Sequence, residues 1–517
     1  MKSTLVALCL VAALQAAPAA VPALPSHNVA WQRAAADADI ARAFAQARAE
    51  NKPVLLYWGA TWCPPCNQLK ATLFNRADFA AQSRAFIAVA VDGDLPAAQK
   101  LGQRFHVSGY PTVVLFKPDG TEITRLPGEA DPEQMMAVLQ LGMSGGRPVK
   151  AVLADARAGK PLSANDWRML AFYSWDTDDQ QLVARNDLPG LLLQLAMAAP
   201  ATDPETSTRL WLKAIAASDF GMGVKPDAAM RERVARVLAD PVQARAQMDV
   251  LTADAARIVR VLADGDAPEK SPLRPAYDAA LQRLAQDPTL SRGDRLGATI
   301  ARVDLARLGA PQGAVHVELP PPLLQDLRAQ VARDDREITD GYERQAVITE
   351  AGYALGRAGL WAESDALLKA NLSKSHSPYY LMSQLGGNAR KLGHKDEALR
   401  WYAQAFQTSV GPATRLQWGA GYLQALLDLA PQDSARIEKT AAEIFAEAGK
   451  DGGAFDGRSI HVLQRVSNRL TGWNAGGKQT PVLKRLRAQL AGVCAKVDAA
   501  DGQRAACQTL LKPATAG

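Results

Sequence analysis

Trp62-Cys63-Pro64-Pro65-Cys66 follows an apolar run, residues 54–58, after three intervening residues and stands directly before a stretch of helical character, residues 67–74. Two thiols separated by two residues at the start of a helix can close a disulfide within one turn, and the positive end of the helix favours the thiolate of the first. This order of strand, dithiol and helix decides how the neighbouring segments are read.

The flanking pattern changes character several times, as an α/β unit should. Residues 37–50 are alanine-rich with Ile40, Phe44 and Ala47 at helical spacing, and Lys52-Pro53 ends that helix before the buried strand at 54–58. Residues 86–91 read as a second strand and 95–105 as a helix. Gly109 and Pro111 break the chain before a third strand at 113–116. The turn Pro118-Asp119-Gly120 leads into 121–125, which can pair back as a hairpin. Asp131 caps a last helix, with Pro132 at its first position and Gln134 three residues after the cap.

A lone CxxC also suits zinc, but a zinc site takes about four ligands, and no second CxxC or histidine pair is present. Gly109-Tyr110-Pro111-Thr112 leads into the next strand instead. With the Trp-Cys-Pro-Pro-Cys motif it resembles the thioredoxin family, specifically the exported branch with Trp before the first cysteine and Pro-Pro between the two. The resemblance covers roughly residues 28–145. It implies a catalytic pair, Cys63 as the exposed low-pKa nucleophile and Cys66 as the resolving thiol. It also implies a cis Pro111 that sets the Tyr110 backbone beside the sulfurs to receive an extended substrate, with Trp62 in the apolar rim. Simple core packing is the other reading of Trp62. No cofactor beyond the Cys63/Cys66 disulfide and no metal is implied.

One departure touches the mechanism. The best-known family members carry a buried acid six residues before the first cysteine, where this chain has Tyr57, and the accompanying lysine is replaced by Ala88. Asp92, Glu122 or a water are the open substitutes for the proton acceptor of Cys66. The rigid prolines withhold amide donors from the Cys63 thiolate, which points to a reductant or a mild exchanger.

The first residues read as a secretory signal peptide, 1–20: Met1-Lys2-Ser3, an apolar segment, then Ala17-Pro18-Ala19. The apolar part is too short for a bilayer span, so a periplasmic or secreted protein without membrane insertion after signal removal is expected. Cys9 is lost with the signal. Cys494 and Cys507, with Asp501-Gly502 between two helical segments, suit a structural disulfide, two buried thiols or a second redox pair. His106, in the segment before Pro111, is the histidine expected nearest the active site, but an ordinary surface position is the favoured reading.

Beyond Gly145-Gly146 and Pro148 the strand pattern gives way to short helical segments over 150–319. The triplet Pro320-Pro321-Pro322 suits a linker or a helix entrance before a second helical region, 323–517. There Gly352 and Gly386, Gly359 and Gly393, and Leu368 and Tyr402 each keep an offset of 34 (386 − 352 = 393 − 359 = 402 − 368). That period is the tetratricopeptide spacing; irregular helical packing is the alternative. The fold class expected is an α/β thioredoxin-like domain, 28–145, followed by a large all-α, tetratricopeptide-like region.

Over 517 residues the net charge of +6 carries no long Lys/Arg block, so no nucleic-acid partner is expected. The function expected is a thiol-disulfide oxidoreductase acting on protein substrates with disulfides. An electron donor of unknown identity would recycle the dithiol, and the helical region would recruit partners. The alternative is an assembly scaffold whose thioredoxin-like domain is a docking module.

Overall fold

The computed structural model describes residues 29–128, 131–219, 223–263, 267–500 and 502–512. The proposed signal segment, residues 1–20, lies outside the described residues, as does Asp501.

Five strands form one sheet: β1 (Gln32–Ala34), β2 (Val54–Gly59), β3 (Ile87–Asp92), β4 (Thr112–Phe116) and β5 (Glu122–Leu126), in the order β1-β3-β2-β4-β5. β1, β3 and β2 run parallel, β4 runs antiparallel to β2, and β5 completes the hairpin. β2 is buried along its whole length. Its unbroken apolar run follows from cover on both faces. The β1 strand escapes the sequence reading because three residues show no alternation.

The helix Asp37–Glu50 buries Ile40, Ala43, Phe44 and Ala47 against one face of the sheet. Asp37 and Asp39 in its first turn oppose the helix dipole, and Asn51 takes the left-handed conformation that ends it. The helix Pro132–Met143 covers the other face, with the Asp131 carboxylate accepting from Glu133 N at 2.8 Å. Gln134 does not reach back to the cap; its amide donates to the Ala246 carbonyl at 2.7 Å. On this face one apolar core runs from Leu55 through Leu139, Leu170 and Leu210 to Leu305, so the first helices after the sheet pack directly against it. Fully buried Arg125 on β5 ties the two together, donating to the carbonyls of Phe105, His106 and Thr177.

Everything described after residue 148 is helix or connection. The proline triplet is a helix entrance: Pro320 caps the helix Pro321–Glu337. Helical hairpins follow, among them Gly341–Arg357 with Trp361–Asn371 and Pro378–Lys391 with Lys395–Thr408. The residues at offset 34 meet in equivalent places. A Cβ on Gly352 would lie 2.5 Å from Leu368, and one on Gly386 would lie 3.1 Å from the Tyr402 ring.

These hairpins do not stand apart from the sheet domain. Gly341–Arg357 packs on Pro64–Leu69, the helix that follows the first cysteine, and Gly457–Trp473 packs on Ala98–Arg104. The helical arc therefore packs against the helix that follows the central strand β2 and carries Cys66.

Candidate functional site

Cys63 is the N-cap of the helix Pro64–Leu69, with Pro64 and Pro65 in the first turn, where the missing amides cost nothing. Cys66 N donates to Cys63 Sγ at 3.2 Å, and the two sulfurs are bonded with a Cα–Cα distance of 5.2 Å. Buried Asn67 locks the preceding loop, donating to the carbonyls of Thr61 and Cys63 at 2.8 Å each. The Tyr110–Pro111 bond is cis, and Thr112 Oγ1 donates to the Gly109 carbonyl at 2.9 Å.

The helix does not continue as one regular element. At Lys70 it passes into a π-helical turn, Lys70–Phe74. Such turns re-aim side chains and recur at functional sites.

Trp62, Cys63, Cys66 and Tyr110 fall into one apolar cluster with Tyr379, Tyr380, Ala405 and Trp418 of the helical region. The expectation of an exposed Cys63 is not met: Cys63 is 2% exposed and Cys66 0%. The cause is cover by the helices Pro378–Lys391, Lys395–Thr408 and Pro412–Leu429. Trp62 Nε1 donates to Asp94 Oδ2 at 2.9 Å and to Thr414 Oγ1 at 2.8 Å. Its ring meets Tyr380 in a stacked arrangement and Trp418 edge-on, at centroid distances of 6.0 and 6.1 Å. The Arg458 guanidinium lies over both Trp62 and Tyr110, at 5.5 and 4.8 Å from their centroids. Gln99 joins these parts, its amide donating to Tyr110 Oη at 2.8 Å and its carbonyl accepting from Arg458 N at 2.9 Å. Gly457 permits this approach: it has a φ of +50°, and a Cβ there would lie 2.8 Å from the Gln99 carbonyl oxygen.

The acids near the dithiol occupy different surroundings. Burial pushes Asp94 up to about 7, helped by Asp92 and opposed by the hydrogen bonds from Thr414 and Trp62. Burial also raises Asp92, opposed by the Asp94 amide and by Lys70. Lys70 is 8% exposed, and burial brings it down to about 8. Glu122 stands apart: its carboxylate is held by Arg125 on the edge strand β5. Tyr57 is buried with Trp31, Phe74 and the core alanines 88 and 90, and burial keeps its phenol protonated.

The remaining sequence candidates lie elsewhere. Cys494 and Cys507 are bonded, with a Cα–Cα distance of 5.6 Å, joining Thr480–Lys496 to Gln503–Thr509 inside the C-terminal helical core. His106 is exposed, 3.8 Å from Asp179. The histidine at the site is His376, whose Nε2 pairs with the Thr61 carbonyl at 3.1 Å. Sequence reasoning missed His376, Thr414, Trp418 and Arg458 because no local pattern links them to the motif. Lys70 was within reach, one helical turn after Cys66. Among the described residues no group of three His, Cys, Asp or Glu could hold a metal ion, and no helix is long and apolar enough to cross a membrane.

A bonded pair of sulfurs at a helix N-terminus, clustered with the Tyr110 that precedes the cis peptide bond, is equipped for exchange with another disulfide or dithiol. A family model described as a thioredoxin-like domain matches residues 40–142. The thiol:disulfide interchange protein DsbD 1 of Pseudomonas aeruginosa is 32% identical over 111 residues, 21% of this chain and 19% of that protein. DsbD 2 of the same organism is 32% identical over 116 residues, 22% of this chain and 20% of that protein. The thioredoxin of Mycolicibacterium smegmatis is 37% identical over 79 residues, 15% of this chain and 67% of that protein. The chain thus spans about a fifth of the length of the two interchange proteins.

Proposed function

The chain belongs to the thioredoxin family, and from that premise we propose that it is an exported thiol-disulfide oxidoreductase, a reductase or exchanger acting on protein disulfides. The observation that supports this most directly is the Cys63–Cys66 bond at a helix N-terminus, with Cys66 N donating to Cys63 Sγ. In this reading Cys63 attacks the substrate disulfide and Cys66 resolves the mixed disulfide. Trp62, Tyr110 and Pro111 form the substrate-contacting rim. An electron donor returns the pair to the dithiol, and no cofactor takes part. Export follows the reading of residues 1–20 as a signal peptide and leads to the periplasm or the outside of the cell. The tetratricopeptide-like helical region controls access: a substrate reaches the sulfurs only when the cover of Tyr379, Tyr380 and Trp418 moves aside.

The burial of both sulfurs favours a second reading, a scaffold in which the thioredoxin-like domain is a docking module held by the helical arc. One experiment separates the two. With Cys66→Ala in the full chain, exchange predicts partners trapped as mixed disulfides on Cys63, and the unsubstituted protein reduces a small-molecule disulfide when supplied with dithiol. Absence of both outcomes leaves the scaffold.

A further inference from the structure

A cavity of about 70 Å³ is lined by Arg33, Tyr57, Thr61, Lys70 and Asp92, and by Ala60, which packs in the same apolar cluster as Cys63 and Cys66. It has room for water, which needs about 10–15 Å³. The Tyr57 hydroxyl, in a side chain 2% exposed, lines it with no hydrogen-bond partner among the described residues. Lys70 reaches it from the helix that carries Cys66: the Lys70 amide donates to the Cys66 carbonyl, so the two side chains share one face a turn apart. The Lys70 ammonium lies 5.1 Å from the Tyr342 ring centroid. Asp92 ends β3 opposite Gly59, its carboxylate accepting from Asp94 N at 3.0 Å and from the Thr61 hydroxyl.

Resting on the exchange reading of Cys63 and Cys66, we propose that Asp92, through water in this cavity, accepts the proton Cys66 releases when it resolves a mixed disulfide, and that Lys70, lining the same cavity, supplies positive charge beside both groups. In that step the Cys66 S–H bond breaks and its proton passes to the Asp92 carboxylate. A bond forms between Cys66 Sγ and Cys63 Sγ. The bond from Cys63 to the substrate sulfur breaks, and the substrate thiolate leaves with the electron pair and takes a proton from solvent. The other groups facing this site do not fill the role. Tyr57 remains a phenol, and Asp94 is bonded to Trp62 and Thr414. Arg33 adds positive charge, while His376 and Asp340 lie beyond Lys70 and Tyr342. Glu122 is held by Arg125. Asp92 holds the proton and Lys70 acts through its charge; neither makes contact with substrate.

The test reads Cys66 directly, in the full chain with Cys63→Ala, by the ultraviolet absorbance of its thiolate as pH is raised. Asp92→Asn should lower the midpoint and Lys70→Met should raise it, each by about one pH unit, or about tenfold in thiolate fraction at a given pH. Lys70→Arg should stay near the parent. Midpoints unmoved in both charge-removing variants would overturn the proposal. Should either variant fail to fold, a redox-difference infrared spectrum of the unsubstituted protein must show an aspartate carboxyl band changing between the disulfide and dithiol forms. A spectrum without one also overturns it. Because the thiolate titration needs no turnover, its failure is distinct from failure of the exchange reading.

Discussion

Asp94 is the residue at which the sheet domain and the helical arc share a proton-dependent contact. Its carboxylate accepts from Trp62 Nε1 and from Thr414, and burial raises it to about 7, against about 3.9 in an unfolded chain. Between about pH 4 and pH 7 the folded protein therefore binds a proton that the unfolded chain has lost, and this group's contribution to stability falls as pH rises through that window. Asp94→Asn should flatten the pH dependence of the urea midpoint there, removing a slope of up to roughly 1.4 kcal/mol per pH unit. An unchanged slope in the variant would place the titration elsewhere. The thiol motif at this scale was legible because its chemistry is local. Two sulfurs three positions apart before a helix can meet within one turn, whatever lies around them.

Among elements, the spacing of the helical hairpins reports on packing. A Cβ added at Gly386 would lie 3.1 Å from the Tyr402 ring, whereas one at the neighbouring Gly387 would meet only Tyr402 Oη, at 3.7 Å. Gly386→Leu should overpack the hairpin and lower stability by about 1–3 kcal/mol. Gly387→Ala should be neutral or stabilise by up to about 1 kcal/mol through helix propensity. Thermal unfolding followed by circular dichroism checks both. Equal effects would mean that the 34-residue offset carries no packing role. Elements were legible from sequence where a pattern repeats or a cap is present. The Asp131 cap and Pro132 start one helix, and Pro320 introduces another. The π-helical turn at Lys70 was not legible, because the choice between helical forms there depends on what packs around residues 70–74.

At the scale of the molecule, the helical arc covers the dithiol that it was expected only to accompany. Contacts such as Trp62 to Thr414 join residues 352 positions apart. In the reduced protein, alkylation of Cys63 should be slow, and Trp418→Ala should speed it about tenfold or more by opening the aromatic cover. A rate that the substitution leaves unchanged would show that the cover already opens freely.

The amino-acid sequence by itself determined the exchange motif, the alternation of strand and helix around it and the helical character of the rest. Each follows from short-range periodicity, caps and the reach of neighbouring side chains. Only the tertiary structure decided that both sulfurs are buried, that Thr414, Trp418 and Arg458 stand at the Trp62 rim, and that Lys70 and Asp92 share a cavity. Those arrangements depend on which helix faces pack against which edge of the sheet. An apolar stripe records that a face is buried, but not the partner that buries it.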